Sequence, residues 1–261
     1  GFWRTDAGKI TFEGRDLEKN TKFIRQIVGF ATQDSGVYPK LTVKENLEYF
    51  GSLSNVPSST LKNNIEKVVK FVELDNAKNE LAENLSGGMQ RRLDIACALI
   101  HNPRILILDE PTEDLDPLLR REITNLIKRI NADSTTVIIT SHLLDETEAL
   151  CDEIAILHNG KVLKHGTPDQ LRDSFSKEEE ILLELHSRKY AGILAKLKSH
   201  KKNISSMKVE NGKLIIRARS AEPVLMEILR IIDKSKEKLL EIDVRKASLG
   251  EVFESLVKKS G

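Results

Sequence analysis

Two adjacent carboxylates, Asp109 and Glu110, follow directly on the aliphatic run Ile-Leu-Ile-Leu at residues 105–108. Such a run is typical of a strand buried in a parallel sheet, and open α/β sheets bind ligands at the carboxyl ends of their strands. Both carboxylates would therefore emerge at an edge where a ligand could bind. Taken alone, the pair could equally cap the next structural element.

A second candidate is Ser86-Gly87-Gly88, the Ser-Gly-Gly turn, which precedes a helical pattern. Free backbone N–H groups, the positive end of the helix dipole and a hydroxyl meet there, and together they suit a phosphate group. A turn of this composition is by itself usually only a helix cap. Its meaning therefore depends on the segments around it.

Three further polar residues stand where predicted elements begin or end. Gln33 follows the compact apolar run 27–31, and His142 terminates a predicted strand over 137–141. Asp116 precedes a proline and is predicted to be the N-cap of a helix. Each is ordinary in isolation, because Gln is common at strand ends and a lone His is more often structural than catalytic.

In order and spacing, these segments together resemble the ATP-binding cassette (ABC) ATPases, over residues 1 to about 175. The resemblance rests on Leu85-Ser86-Gly87-Gly88-Met89-Gln90, on Asp109-Glu110-Pro111-Thr112 after its strand, on Leu115-Asp116-Pro117, and on His142. It implies an α/β fold: a P-loop NTPase-like cassette core with a parallel sheet covered on both faces and a helical subdomain at about residues 40–85.

The resemblance also implies a role for each polar residue at the strand ends. Asp109 would be the Walker B carboxylate that holds Mg²⁺ directly or through water, and Glu110 would orient and polarise the attacking water. His142 would be the switch histidine that reaches the γ-phosphate of ATP. Gln33 would be the Q-loop glutamine, which senses Mg²⁺ and the attacking water.

In a homodimer of the family, two ATP–Mg²⁺ are held between the phosphate loop of one copy and the Ser-Gly-Gly turn of the other. This implies ATP-binding roles for Ser86, Gly87, Gly88 and Gln90, and it makes Asp116 the D-loop aspartate that communicates across the dimer. Glu113-Asp114 departs from the family pattern, which has small or neutral residues there. The two extra carboxylates put cross-talk between the copies in doubt.

The sequence contains no Gly-x-x-x-x-Gly-Lys-[Ser/Thr] phosphate loop, or Walker A motif. The resemblance matches residues 1–13 to the region after the phosphate-loop helix, so we expect this loop, its lysine and the aromatic that stacks on adenine upstream of Gly1. The N-terminal part of the core would then be missing, and the printed chain would be inactive alone. A gene product that starts at Gly1 would be a non-catalytic remnant.

Hydrophobic periodicity predicts the elements that position these residues. Residues 9–33 are predicted to form short strands, and Thr42 with Glu45 has the spacing of a capping box. Leu93, Ala96, Cys97 and Ile100 form one helical stripe, and Ile123, Leu126, Ile127 and Ile130 form another after Asp116. Asn159-Gly160 is a hairpin turn signal.

The same patterns predict two domains. An ABC ATPase domain would occupy 1–176, and the charged run 177–180 would be an exposed linker. Residues 181–261 carry the order βαββαβ, which predicts a small α+β ferredoxin-like domain. A last helix follows, with Ser248 and Glu251 spaced as a capping box.

Composition limits the partners. Lys and Arg total 41 against 40 Asp and Glu, so the net charge of +1 provides no field for nucleic acid or anionic membrane, and we expect no nucleic-acid partner. The longest apolar runs fall far short of the roughly 20 residues that cross a bilayer, so a soluble chain is expected. Cys97 and Cys151 are not spaced as a metal site or disulfide framework, which favours a reduced cytosol.

The tail Ser248-Leu249-Gly250-Glu251-Val252-Phe253, the signature variant with Met89 and the segment 41–47 resemble those of drug and multidrug exporters. The predicted function is therefore the ATP-hydrolysing subunit of an ABC exporter that drives a separate integral-membrane permease from the cytoplasmic face of the cell membrane. The alternative is a soluble ABC ATPase that acts on ribosomes or DNA. The single cassette, the lack of a long coiled-coil insertion and the neutral charge disfavour it.

Overall fold

The computed structural model describes residues 6–175, 178–197, 203–235, 237–246 and 248–260. The chain divides into two compact units, Gly1–His142 and Leu143–Gly261. Residues 1–5, which the sequence resemblance matches to the family, are outside these described ranges. The predicted linker residue Lys177 is also outside them. The predicted domain boundary near residue 176 stays a prediction.

The sheet of the first unit consists of three parallel strands in the order β3 (Val28–Ala31), β4 (Ile105–Asp109) and β5 (Thr136–Thr140). The predicted strand 137–141 thus lies one residue earlier. Because parallel strands end at one edge, the residues after these strands lie together there. This edge, called the carboxyl edge below, comprises Gln33, Asp109, Glu110, Glu113 and His142.

The two faces of this sheet differ in burial. Gly29, Ala31, Leu106 and Leu108 lie on a buried face. On the opposite face Phe30, Ile107 and Ile138 are in register, yet Phe30 is 54% and Ile138 49% exposed. The prediction of a sheet covered on both faces is therefore not met by the residues that the structure describes.

Five helices and one short hairpin complete the described part of the first unit. Their bounds are β1 (Thr11–Phe12), β2 (Arg15–Asp16), α1 (Thr21–Ile27), α2 (Val43–Leu53), α3 (Ser58–Phe71), α4 (Gly87–Leu99) and α5 (Pro117–Ala132), with single 3₁₀ turns at Asp75–Ala77 and Ala82–Asn84. The helices predicted for residues 40–85 are present, and so is the capping box. The Glu45 backbone N–H donates to Thr42 Oγ1 at 3.2 Å, and the Thr42 N–H donates to Glu45 Oε2 at 2.8 Å.

Helix α1 corrects the prediction that residues 9–33 form only short strands. Ile24 and Ile27 are three residues apart and Phe23 and Ile27 four, so this segment presents one apolar helical face. Ile27 is buried, and the Phe23 ring lies 6.2 Å from the Phe12 ring. The helix is only seven residues long, which is why the adjoining strand pattern obscured it.

Helix α4 packs directly on β3 at Gly29. A Cβ at position 29 would lie 2.2 Å from the Ala98 carbonyl oxygen, so only glycine permits this approach. The predicted stripe of α4 is buried at Leu93, Ala96, Cys97 and Ile100. The close contact of this helix with β3 brings its first turns towards the carboxyl edge.

The second unit contains a hairpin, β6 (Ile154–His158) and β7 (Lys161–Gly166). Asn159 and Gly160 both have positive φ, as a type I′ turn requires. Helices α6 (Leu144–Leu150), α7 (Pro168–Phe175) and α10 (Leu249–Ser260) pack in this unit. Their shared core is formed by Ile154, Ile156, Leu171, Leu249 and Val252.

The remainder of the second unit has the predicted βαββαβ order. Its elements are β8 (Glu179–Leu185), α8 (Ala191–Leu197), β9 (Ile204–Glu210), β10 (Lys213–Ala218), α9 (Ala221–Ser235) and β11 (Leu239–Lys246). The strands form an antiparallel sheet in the order β11-β8-β10-β9, the ferredoxin-like arrangement. The predicted capping box of α10 is also present, since the Glu251 N–H donates to Ser248 Oγ at 3.2 Å.

The charged run before this domain is not an exposed linker, because Glu179 and Glu180 belong to β8. Glu180 is 7% exposed and accepts hydrogen bonds from Arg217 Nε at 3.1 Å and Arg245 Nε at 2.9 Å. Burial acts to raise the pKa of Glu180, but these arginines outweigh it and hold the pKa below its usual value. The partners come from β10 and β11, so the local charge run could not reveal them.

Cys97 and Cys151 are both free thiols. Among the described helices, none has both the length and the apolar character that crossing a bilayer requires.

The contact at Gly29 gives a test of the packing of α4 on β3. We expect Gly29→Ala to lower the free energy of unfolding of the first unit by about 1–3 kcal/mol, the usual cost of overpacking. Gly87→Ala is the matched control, because a Cβ at position 87 meets no atom within 4 Å. Urea unfolding measures both, and equal stability of the two variants would contradict the packing described.

Candidate functional site

Asp109 and Thr140 are opposite each other at the ends of β4 and β5. The Thr140 hydroxyl donates to Asp109 Oδ1, so it fixes one carboxylate oxygen and leaves the other available. Thr140 was not among the predicted site residues, because a threonine at a strand end carries no distinctive sequence signal. Only the parallel pairing of the two strands gives it this role.

Glu110 has a left-handed backbone, with φ of 44°. Its N–H donates to both the carbonyl and the hydroxyl oxygen of Thr140, each at 3.2 Å. A non-glycine residue in this conformation carries strain that its surroundings must offset, and such residues cluster at functional sites. The two bonds to Thr140 hold Glu110 where the chain leaves the strand.

His142 lies next to Glu110. The two side chains form an ion pair when the imidazole is protonated and a hydrogen bond when it is neutral. His142 Nδ1 is 3.1 Å from Glu110 Oε2, and the His142 backbone N–H donates to the same oxygen at 3.4 Å. The hydrogen bond to Glu110 and the charge of that carboxylate raise the pKa of His142. The His142 side chain is 59% exposed, and Nε2 is the ring nitrogen that is not bound to Glu110.

Gln33 lies at the same edge and is held by Glu113, whose Oε2 accepts a hydrogen bond from Gln33 Nε2. This bond ties down the amide nitrogen and leaves the amide oxygen as the free end of the side chain. Glu113 was expected only as a departure from the family pattern. The structure gives it a contact with a predicted site residue, from a position 80 residues away in sequence.

The donor set at this edge fits Mg²⁺. Mg²⁺ favours oxygen ligands and is usually bound by one or two carboxylates together with phosphate oxygens and water. Asp109 supplies a carboxylate oxygen and Gln33 an amide oxygen. In the described ranges no group of three or more His, Cys, Asp and Glu side chains is arranged to hold a metal ion by itself.

The Ser-Gly-Gly turn is the N-terminus of α4, a 13-residue helix. Ser86 Oγ accepts the Met89 N–H at 3.3 Å, and the space beside Gly87 is open. Gly88 has a different role, since a Cβ there would lie 2.7 Å from Leu119 Cδ2 of α5. The turn therefore offers free N–H groups to an anion while its second glycine permits helix packing.

Gln90 and Asp116 make local contacts. Gln90 Nε2 donates to the Ala82 carbonyl at 3.0 Å, which ties α4 to the preceding 3₁₀ turn. Asp116 is the predicted N-cap of α5, where its Oδ1 accepts the N–H groups of Leu118 at 2.9 Å and Leu119 at 3.0 Å. Their roles toward ATP and a second copy stay predictions.

Arg91 is a second site residue that sequence reasoning missed. Its side chain is 10% exposed, and its guanidinium bonds to backbone carbonyls of the carboxyl edge, among them those of Asp109 at 2.9 Å and Glu110 at 2.8 Å. It follows the predicted Gln90 directly, but a basic residue in a helix is ordinarily solvated. Only its burial against the strand ends distinguishes it.

Comparisons with known proteins identify relatives of this chain. A family model described as ABC transporter matches residues 1–113. The linearmycin resistance ATP-binding protein LnrL of Bacillus subtilis (strain 168) is 32% identical over 252 residues, which are 96% of this chain and 81% of that protein.

Two Nod factor export ATP-binding proteins I match a shorter part. The one from Ralstonia nicotianae is 34% identical and the one from Rhizobium sp. (strain N33) 36% identical, each over 171 residues and 66% of this chain. The chain spans only 53% and 56% of their lengths.

The solved structure of cbiO1 from Clostridium perfringens, part of the ABC transporter complex cbiONQ, has a TM-score of 0.60 at 25% identity. The match covers 67% of this chain and 72% of the cbiO1 chain. A second structure, an ATP-binding subunit of an ABC transporter, has a TM-score of 0.58. The predicted α/β cassette fold is confirmed by these likenesses.

The contact between Glu110 and His142 gives a test of the site geometry. Glu110→Gln removes the carboxylate that raises the pKa of His142, so we expect the pKa to fall toward the usual histidine value. Glu113→Gln is the control and should lower it less, because Glu113 acts on the ring only through its charge. NMR titration of the imidazole measures both, and an unchanged pKa in Glu110→Gln would contradict the contact.

Proposed function

Because the chain belongs to the ABC transporter ATP-binding proteins, a family of ATPases, we propose that the complete protein hydrolyses ATP to drive export through a separate membrane permease. The observation that carries this proposal is the convergence of Asp109, Glu110, Gln33 and His142 at one sheet edge. Each is the residue type that phosphoryl transfer to water needs there.

ATP–Mg²⁺, when bound, supplies the phosphoryl group that is transferred and neutralises part of the developing charge. Asp109, with one oxygen fixed by Thr140, would hold the cation with its other oxygen. Gln33, with its amide nitrogen held by Glu113, would present its amide oxygen to the cation and to the attacking water. Both side chains are thus oriented before any nucleotide arrives, which limits the ordering cost on binding.

Glu110 accepts a proton or a hydrogen bond from the attacking water at its carboxylate. His142 binds Glu110 through Nδ1, so its Nε2 is the nitrogen that reaches a phosphate oxygen. A raised pKa favours the doubly protonated ring, in which both nitrogens donate. The pair therefore places an acceptor for the water beside a donor for the phosphate.

A second copy of the chain completes the site through its Ser-Gly-Gly turn. The turn has free N–H groups at the N-terminus of a long helix and open space beside Gly87. These features suit a phosphate, and in the resembling family the turn of one copy meets the nucleotide of the other. Asp116 would communicate between the copies, and Leu118, two residues later, is 68% exposed for contact with a second copy.

The exposed apolar sheet face is an argument that the complete protein contains a phosphate-loop segment. Strand alternation puts Asp109 on the same face as Ile107, which is in register with the exposed Phe30 and Ile138. A helix that covered this face would reach Asp109 at the carboxyl edge. In the resembling family that helix follows the phosphate loop.

The membrane partner would contact the segment from Gln33 to Leu47. Tyr38 and Tyr49 are 45% and 43% exposed, and their rings lie 4.8 Å apart beside Phe50. Exposed aromatic side chains are typical anchors of protein interfaces. With such a partner the protein would lie on the cytoplasmic face of the membrane. A ribosome or DNA role is not favoured, because the named relatives are resistance and export proteins.

Glu110→Gln tests the catalytic role. In the complete protein we expect ATP to bind as in the parent while turnover falls by roughly a hundredfold or more, because the amide cannot take charge from the attacking water. Glu66→Gln is a matched control on α3, where Glu66 pairs with Lys78 far in sequence from the edge residues. Turnover of Glu110→Gln within a few fold of the control would remove Glu110 from the chemistry.

Site-specific crosslinking tests the partner surface. A photoreactive group at Tyr38 is expected to label an integral-membrane permease in membranes that contain the assembled transporter, since Tyr38 is exposed between Gln33 and α2. The same group at Lys208, exposed on β9, is the control. Labelling from position 208 alone would contradict the assignment.

A further inference from the structure

The Arg91 guanidinium bonds to two separate segments of the carboxyl edge. Its Nε donates to the Pro111 carbonyl at 3.0 Å, and its Nη2 donates to the carbonyls of Asp109 and Glu110. Its Nη1 donates to the Thr32 carbonyl at 2.8 Å and more weakly to that of Gln33 at 3.4 Å. One side chain thus connects the segment after β3 with the segment after β4.

Asp94, one turn along α4, holds the guanidinium from the helix side. Asp94 Oδ2 is 3.3 Å from Arg91 Nη1, and Asp94 Oδ1 accepts the Gly36 N–H at 3.2 Å. The Asp94 side chain is 6% exposed. Burial raises the pKa of Asp94 to about 6, so the carboxylate is mostly ionised at neutral pH and balances the charge of Arg91.

Arginine suits this position for a geometric reason. Its planar guanidinium has five N–H donors in a fixed fork, and here they reach carbonyls in different directions. A lysine ammonium is a compact charge with three donors and could not span Pro111 and Thr32 at once. The carbonyl of Pro111, a buried residue, would pay a desolvation penalty if it lost this donor.

We propose that Arg91 is a positioning residue that transmits the state of the Ser-Gly-Gly turn to the carboxyl edge of the same copy. Arg91 is five residues beyond Ser86, about 7.5 Å along the helix axis. Because α4 is a continuous helix, a shift of the turn on binding a phosphate moves the guanidinium with it. The bound carbonyls flank Gln33, Asp109 and Glu110, so the shift reaches the groups that act on the other nucleotide. This inference rests on the proposed function.

Arg92 provides a matched control for Arg91. It is the next residue of the same helix, and its side chain is also largely buried. Its guanidinium pairs with Glu73 in the loop after α3 at 2.6 Å and with Glu122 on α5 at 2.9 Å, and neither partner belongs to the carboxyl edge. A Lys substitution at either position keeps the charge and removes the fork.

Amide hydrogen exchange tests, without relying on turnover, whether Arg91 connects the Ser-Gly-Gly turn to the carboxyl edge. In the complete protein made inactive by Glu110→Gln, ATP–Mg²⁺ is expected to increase amide protection in residues 87–90, 32–36 and 110–113. Adding Arg91→Lys should keep the gain at 87–90 and abolish it at 32–36 and 110–113, while adding Arg92→Lys should keep all three. An equal gain at all three segments in Arg91→Lys would overturn the inference.

Turnover gives the second measurement, with Glu110 intact. We expect Arg91→Lys to lower kcat about tenfold or more with little change in KM, because it affects the positioned groups rather than nucleotide binding. Arg92→Lys should stay within a few fold of the parent. Equal kcat in the two variants overturns the role of Arg91 and leaves the proposed function intact, whereas an inactive parent protein would remove the proposed function itself.

Asp94→Asn is a second variant that tests the inference if Arg91→Lys fails to fold. The amide keeps the shape of Asp94 but removes the charge that holds Arg91, so the same loss of protection at 32–36 and 110–113 is expected in smaller degree. Unchanged protection in this variant would also count against the inference.

Discussion

The guanidinium of Arg91 donates to backbone carbonyls from two strand ends, and the geometry of the carboxyl edge depends on these bonds. Segments that leave a sheet normally find water for their polar groups. Here carbonyls at the ends of β3 and β4 accept hydrogen bonds from Arg91, and the carbonyl of the buried residue Pro111 would be costly to leave unpaired. Because Arg91 satisfies them together, Asp109 and Gln33 keep fixed positions relative to each other.

The same edge concentrates negative charge, and its hydrogen bonds separate the roles of the carboxylates. Asp109 is bound by the Thr140 hydroxyl, Glu110 by His142 and Glu113 by the Gln33 amide. Each acid therefore has its own neutral or cationic partner. A divalent cation bound at this edge would offset part of the negative charge.

Local sequence patterns predicted much of this arrangement. The aliphatic run before Asp109, the N-cap at Asp116 and the Thr42 capping box each depend on neighbours within a few residues, and the structure has all three. The short helix α1 was missed because its seven residues adjoin a strand. Glu180, Glu113, Thr140 and Arg91 were misjudged or missed because their partners are distant in sequence, so composition and spacing carry no signal for them.

A solved structure of the complete Glu110→Gln protein with ATP and Mg²⁺ would test most directly whether two copies share each nucleotide. We expect the nucleotide to contact Asp109, Gln33 and His142 of one copy and the Ser-Gly-Gly turn of the other, with the Arg91 bonds to both strand ends present in each. A nucleotide bound by a single copy, with the Ser-Gly-Gly turn of the second copy away from its phosphates, would contradict the proposed mechanism.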